Sequence, residues 1–218
     1  MKMPKKSPIV LQKKASAPLP TAYGQFELVV FNYPDPEASS DLSQDHIALI
    51  MGEMDGAEDL PVRIHSECIT GEVFDSMKCD CRQQLQLAQQ NIAETGRGAI
   101  IYLRQEGRGI GLANKIKAYA LQADGADTIA ANELLHLPID ARRYDVAAEI
   151  VQALGIRSIQ LMTNNPEKKA SMERLGIRVT GRIPVHVPAN RHSENYLSVK
   201  RDLMQHHLPE DLNKPRPS

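Results

Sequence analysis

Short apolar runs alternate with longer amphipathic stretches along most of this chain, and that alternation constrains the fold more than any other feature. Residues 26–31, 46–51, 62–65, 99–103, 158–162 and 177–179 are rich in β-branched and apolar side chains bounded by turn formers, the pattern of strands. Between them, residues 82–94 carry Leu85, Ala88 and Ile92 at helical spacing, with Gly96 as a stop. Residues 112–123 place Leu112, Ile116 and Tyr119 on one helical face, and residues 140–154 read as a helix ended by Gly155. Residues 166–175 have Pro at the first turn and Gly176 after the last, and a final helix is expected over 193–207. Such alternation implies an α/β layered domain with a partly parallel sheet. Several strands in succession in the first third predict a mixed sheet flanked by helices, and no repeat or linker divides the chain.

Residues 1–20 are rich in Lys, Pro, Ser and Ala and read as a mobile tail, basic through Lys2, Lys5, Lys6, Lys13 and Lys14. The folded domain is expected to span 17–207, between a tail over 1–16 and a loose C-terminal tail over 208–218. A composition 42% apolar and 24% charged is that of an ordinary globular protein, and with no Trp and three Phe its core must be mainly aliphatic. The formal net charge of −1 argues against a nucleic-acid binder. No apolar run is long enough to span a membrane, and Ile9-Val10-Leu11 is too short for a signal peptide. The cytoplasm is therefore the expected compartment, where thiols stay reduced.

The three cysteines, Cys68, Cys79 and Cys81, fall within fourteen residues. Three soft ligands can hold zinc and leave its fourth tetrahedral position for water, the arrangement of a catalytic site. In an extended segment Cys79 and Cys81 would point to the same face. Two other readings stand beside this one. The thiols are small buried hydrophobes, or a fourth ligand such as His46 or His65 closes a structural site.

Two of the expected strands run into polar loops. The strand over 99–103 leads into Arg104-Gln-Glu106-Gly107-Arg108-Gly-Ile-Gly111, and that over 158–162 leads into Thr163-Asn-Asn-Pro166. Ligands of open α/β sheets bind beyond the carboxyl ends of strands. Glycines allow close backbone approach, and arginine forks suit phosphate oxygens. Asp140 reads as a helix N-cap, and Thr163 and Asn164 as caps for the helix over 166–175. Lys168 near that N-terminus runs against the dipole preference and points to an anionic ligand. From the residues alone, the chain reads as a zinc-dependent hydrolase of an anionic small molecule.

Arg63-Ile64-His65-Ser66-Glu67-Cys68, Cys79-Asp-Cys81, Arg104-Gln-Glu106-Gly107-Arg108 followed by Ile-Gly-Leu112, and Thr163-Asn-Asn-Pro166 resemble the motifs of GTP cyclohydrolase II in order and spacing. The resemblance covers roughly residues 17 to 207 and implies a monofunctional enzyme of riboflavin biosynthesis. It would hydrolyse GTP with release of formate and pyrophosphate, with zinc and magnesium as cofactors and a homodimer as the assembly. Carried over by position, Cys68, Cys79 and Cys81 would be the zinc ligands. Arg63, Ile64, His65, Ser66, Glu67, Gln84, Glu106, Gly107, Arg108, Thr128, Thr163 and Lys168 would contact GTP. Asp140 resembles the proton acceptor, Arg142 the residue assigned as nucleophile, and Tyr119 a tyrosine near the reacting ring. A guanidinium has no free lone pair, so Arg142 is expected to stabilise phosphate charge instead. Arg82 and Arg143 depart from residues common in the family, and Arg82 is expected to add positive charge beside the metal.

Overall fold

The computed structural model describes residues 10–34, 43–123, 133–138, 140–189, 193, 197–198, 201–202, 205–209 and 211–212. Its strands are β1 (Gln12–Thr21), β2 (Gly24–Asn32), β3 (Asp45–Met51), β4 (Leu60–Ser66), β5 (Gly98–Leu103), β6 (Ile159–Met162) and β7 (Val179–Ile183). They form one seven-stranded sheet in the order β1-β2-β3-β5-β4-β6-β7. The pairs from β1 to β5 are antiparallel, and those linking β5, β4, β6 and β7 are parallel. The mixed α/β sheet expected from the sequence is thus present. The helices are α1 (Ile69–Glu72), α2 (Cys81–Thr95), α3 (Leu112–Ala123), α4 (Asp145–Ala153) and α5 (Pro166–Arg174), with a 3-10 turn over Glu106–Gly109.

Period-two alternation divides the side chains between two faces of the sheet. Val62 and Ile64 of β4 and Ala99, Ile101 and Leu103 of β5 pack against Val146, Ile150 and Val151 of α4 and Met172 of α5. Leu49, Ile100 and Met162 pack against Ala88 and Ile92 of α2 on the other face. Ile64, Ile101 and Ile150 are completely buried, each contributing about 1.5–3 kcal/mol. Arg63 and His65 alternate with Val62 and Ile64, so the α2 face of β4 is polar where the opposite face is aliphatic. The helix sandwich therefore holds the parallel strands rigidly, with polar groups at their carboxyl ends.

Four expectations need correction. Residues 12–20, placed in a mobile tail, pair with β2 as an edge strand. The Lys and Pro content that suggested a tail also suits a sheet edge, where proline removes a donor that faces solvent and charge deters further pairing. The helix expected over 140–154 begins only at Asp145, so Asp140 caps nothing. Gln105 holds the segment out of helix by accepting from Arg143 N (3.1 Å) and donating to Arg143 O (2.8 Å). The cap of α5 is Asn165, which accepts from Glu167 N at 3.0 Å, while Thr163 accepts from Asn165 N one turn earlier. Finally, Ile177 packs in the core after α5, and β7 starts at Val179. Most of the helix expected over 193–207 lies outside the described residues, though positions 197–198 and 201–202 are helical.

Candidate functional site

Cys68 lies two residues beyond β4, the single turn of α1 reverses the chain, and Cys81 opens α2. Cys79 and Cys81 are not in an extended segment as expected: Asp80 between them has φ −106° and ψ 14°. The sulfurs nonetheless converge, all three lying within 4.8 Å of one another, with 3.6 Å between Cys68 and Cys79. Tetrahedral zinc with Zn–S bonds of about 2.3 Å needs sulfurs about 3.8 Å apart, close to the Cys68–Cys79 spacing, so the donor set suits the ion. Gly71 makes the approach possible, because a Cβ there would meet Cys79 Sγ at 2.8 Å and Cys68 Sγ at 3.4 Å.

Among the described residues this trio is the only group of metal-ligating side chains, and neither candidate fourth ligand joins it. His46 Nδ1 accepts from Arg104 N at 3.1 Å, and His65 Nε2 lies 2.8 Å from Glu72. A three-thiol set leaves room for a fourth, non-protein ligand.

The thiols share their charge unequally. Hydrogen bonds from Cys79 and Cys81 pull the Cys68 thiol far below its ordinary value, and the Lys115 ammonium adds to the effect. Its bond with Cys68 pushes Cys79 up to about 11, and Cys81 is raised by its bonds to both neighbours. Lys115, which sequence reasoning missed, is buried in α3 and donates to Cys68 Sγ (3.2 Å) and Glu106 Oε1 (2.8 Å). Burial opposes its charge, but Cys68 and Glu106 hold its titration above the usual lysine range. Its position four residues before Tyr119, on the turn of helix that faces the cysteines, was the available signal.

Glu106 is a clasp. Its carboxylate accepts from Ile69 N (2.7 Å), Gly107 N (2.8 Å) and Lys115 Nζ, using three of about four lone-pair sites. The loop after β5 is thereby tied to the residue that follows Cys68. Gly107 and Arg108 both adopt left-handed conformations, with φ of 62° and 59°. For Arg108 that costs about 1–2 kcal/mol, a strain of the kind found at ligand loops. Gly109 lets residues 140–142 come close: a Cβ there would stand 2.8 Å from Ala141 O. Ala141 N also donates to Arg108 O at 3.0 Å.

Beyond the cysteines lies a cationic floor at the carboxyl ends of β4 and β6. Arg63, buried, donates to Met162 O (3.0 Å) and Gln84 Oε1 (2.5 Å), and the charges of Asp80, Cys81, Tyr144 and Arg142 act on it. Lys168, also buried, donates to Ile64 O at 2.8 Å and stands 5.6 Å from the centre of the Tyr144 ring. The Ile64 side chain is core, so only its backbone faces this region. Arg142 and Asp140 form a forked ion pair, with Arg142 Nε 2.9 Å and 3.1 Å from the two carboxylate oxygens. Burial would raise the Asp140 pKa, but the bond and charge of Arg142, with Arg108, hold it below the usual value.

Tyr144, which sequence reasoning did not single out, is buried among these charges, and its hydroxyl has no hydrogen-bond partner among the described residues. Arg63 Nε and Ser66 Oγ are likewise buried without partners among the described residues. Unpaired polar atoms gathered beside a cationic floor suit a ligand rich in oxygen.

The remaining sequence-predicted residues fall around this core. Glu67 pairs with Arg104 at 3.0 Å, and Gln84 donates to Asp80 at 2.5 Å. Tyr119 is half-buried near the thiols, under Lys78 at 4.6 Å, and burial pushes its hydroxyl up to about 12. Thr163, buried, accepts from Arg182 through its carbonyl at 3.2 Å. Thr128 lies outside the described residues. Arg82 does not reach for the metal site. It donates to Glu72 O (3.0 Å) and pairs with Asp75 (2.7 Å), bracing the cysteine loop from outside. Arg143 pairs with Asp145 at 2.8 Å.

Comparison with known proteins bears on this geometry. The family model described as GTP cyclohydrolase II matches residues 12–184. A protein named GTP cyclohydrolase-2 from Shewanella sediminis is 48% identical over 196 residues, covering 90% of this chain and 93% of its own. One of that name from Picrophilus torridus is 47% identical, over 88% of this chain and 96% of its own. Another, from Haemophilus influenzae, is 47% identical, over 91% of this chain and 89% of its own.

Proposed function

The chain belongs to the GTP cyclohydrolase II family, and we propose that it hydrolyses GTP in riboflavin biosynthesis, releasing C8 of the guanine as formate together with pyrophosphate. The product is 2,5-diamino-6-hydroxy-4-(5-phosphoribosylamino)pyrimidine. The observation that carries this reading is the juxtaposition of a three-thiol cluster with a floor of buried cations, Arg63 and Lys168, beside Arg142. One part suits a metal that activates water, and the other suits phosphates.

Cys68, Cys79 and Cys81 would hold zinc, and Lys115 would balance their charge. When bound there, zinc supplies Lewis acidity that activates water for attack on C8. Tyr119, beside the thiols, would face the ring that opens. Arg63, Ser66, Arg108, Thr163 and Lys168 would bind and orient the nucleotide, with Glu67, Gln84, Glu106 and Thr128 completing its surroundings. Magnesium would sit chiefly on the phosphates.

Arg142 would act as a charge clamp on the α-phosphoryl group as pyrophosphate leaves. Its fork with Asp140 keeps the guanidinium protonated, which suits electrostatic stabilisation and not nucleophilic attack. Asp140 would orient Arg142 and accept a proton only once that fork opens. A single catalytic domain would carry the activity, in the cytoplasm and as a homodimer, over roughly residues 17 to 207 with β1 extending it to residue 12. Among the described residues no helix is long and apolar enough to cross a membrane.

Mass spectrometry of the products formed from GTP by the zinc-loaded protein with magnesium tests this reading. Formate, pyrophosphate and the diaminopyrimidine phosphate are expected together. Pyrophosphate with the formyl group retained would instead identify a relative that stops early, and absence of turnover would point to another nucleotide.

A further inference from the structure

A chain of hydrogen bonds runs beneath both halves of the site. The Tyr102 hydroxyl donates to Glu72 Oε2 at 2.5 Å, and Glu72 Oε1 lies 2.8 Å from His65 Nε2. His65 Nδ1 faces Arg63 Nη2 at 3.5 Å. Arg63 Nη2 donates to Gln84 Oε1 at 2.5 Å, and Gln84 donates to Asp80 at 2.5 Å. The His65 ring also stacks on Tyr102, with centroids 5.7 Å apart and planes 16° apart. Glu72 sits on α1 and Asp80 between two cysteines, so the chain that starts at Tyr102 meets the cysteine loop at Glu72 and again at Asp80, with His65 and Arg63 between.

The donors and acceptors fit in one direction only. A carboxylate has no hydrogen to give, so His65 Nε2 must donate to Glu72. In a neutral imidazole Nδ1 is then the acceptor, the one form that can face a guanidinium N–H. We infer that Glu72 and Tyr102 are positioning residues: they lock His65 in its Nε2–H tautomer and so aim the Arg63 guanidinium, whose buried Nε has no partner among the described residues, at the substrate. The inference rests on the reading of this floor as the GTP site. It assigns work to two side chains that none of the sequence motifs singled out.

Nitrogen-15 NMR of the zinc-loaded protein, with His65 assigned by its loss in His65→Asn, reads the tautomer directly. The unaltered protein should show Nε2–H alone. Glu72→Met is close in size but takes no hydrogen bond. It leaves a buried N–H without an acceptor, so the two nitrogen shifts should move toward each other. The KM for GTP should rise about tenfold, the value of one hydrogen bond to a charged group, with kcat changed much less. Glu72→Gln retains an acceptor oxygen and should recover both readouts. If Glu72→Met does not fold, Tyr102→Phe removes one hydroxyl and should raise KM in the same direction. An Nδ1–H tautomer in the unaltered protein overturns the inference, as does an unchanged KM in the folded variants. If the unaltered protein does not turn over GTP, the functional reading fails by itself, and the tautomer still decides whether Glu72 sets the ring.

Discussion

At the scale of single residues, two positions combine a sharp geometric constraint with a clean test. The first is Gly71. An added methyl would lie 2.8 Å from Cys79 Sγ, closer than carbon and sulfur can sit, so Gly71→Ala must displace a ligand of the proposed zinc. Overpacking of this kind costs about 1–3 kcal/mol. It should lower zinc affinity roughly tenfold in competition with a chromogenic chelator while leaving helical content intact. Unchanged affinity would mean that Cys79 does not bind the ion. The second is Tyr144, whose buried hydroxyl has no partner among the described residues. An unsatisfied hydroxyl is a liability of about 1–3 kcal/mol until something bonds to it. Tyr144→Phe should therefore raise the melting temperature of the nucleotide-free protein and, in the same variant, raise the KM for GTP. A rise in stability with no change in KM would show that the hydroxyl never meets the substrate.

At the scale of elements, the strength of each local signal decided what could be read in advance. α2 and α5 carry their own stops and spacing, and both form within a residue of where the sequence implies. α5 is started by Asn165, so Asn165→Ala should lower stability by about 1 kcal/mol, seen as a lower urea midpoint at constant slope. The segment 140–144 was misread because Asp before an amphipathic run is an ordinary cap signal. What overrides it is Gln105, bonded to Arg143 from 38 positions away, which local spacing does not reveal. The same limit hid Lys115, Glu72 and Tyr102, whose roles come from partners brought together by β4, β5 and the cysteine loop. Cys68, Cys79 and Cys81 were legible because they are neighbours in sequence and in space. β1 was lost for the opposite reason, since the composition of a guarded sheet edge is also that of a tail.

At the scale of the whole molecule, protons link stability and metal binding. Burial, with the charge of Arg104, lowers the His46 pKa from 6.5 to about 4. The unfolded chain then binds more protons than the folded one between those values. The neutral ring's contribution is complete above pH 6.5 and is lost as pH falls through about 4. At about 1.4 kcal/mol per pKa unit, it amounts to about 3 kcal/mol. His46→Gln, which keeps an acceptor and does not titrate, should flatten the stability curve over that interval in urea denaturation. Zinc loading obeys the same linkage with the same sign. In the metal-free protein Cys68 is held as thiolate, while Cys79 and Cys81 are held protonated at neutral pH. All three must be thiolates to hold the ion, so binding at pH 7 should release about two protons, and affinity should rise with pH. Calorimetry in buffers of different ionisation enthalpy counts those protons. A count near three would mean that Lys115 and the neighbouring thiols do not pre-ionise Cys68, and a count near zero would mean that the cysteines are not the ligands.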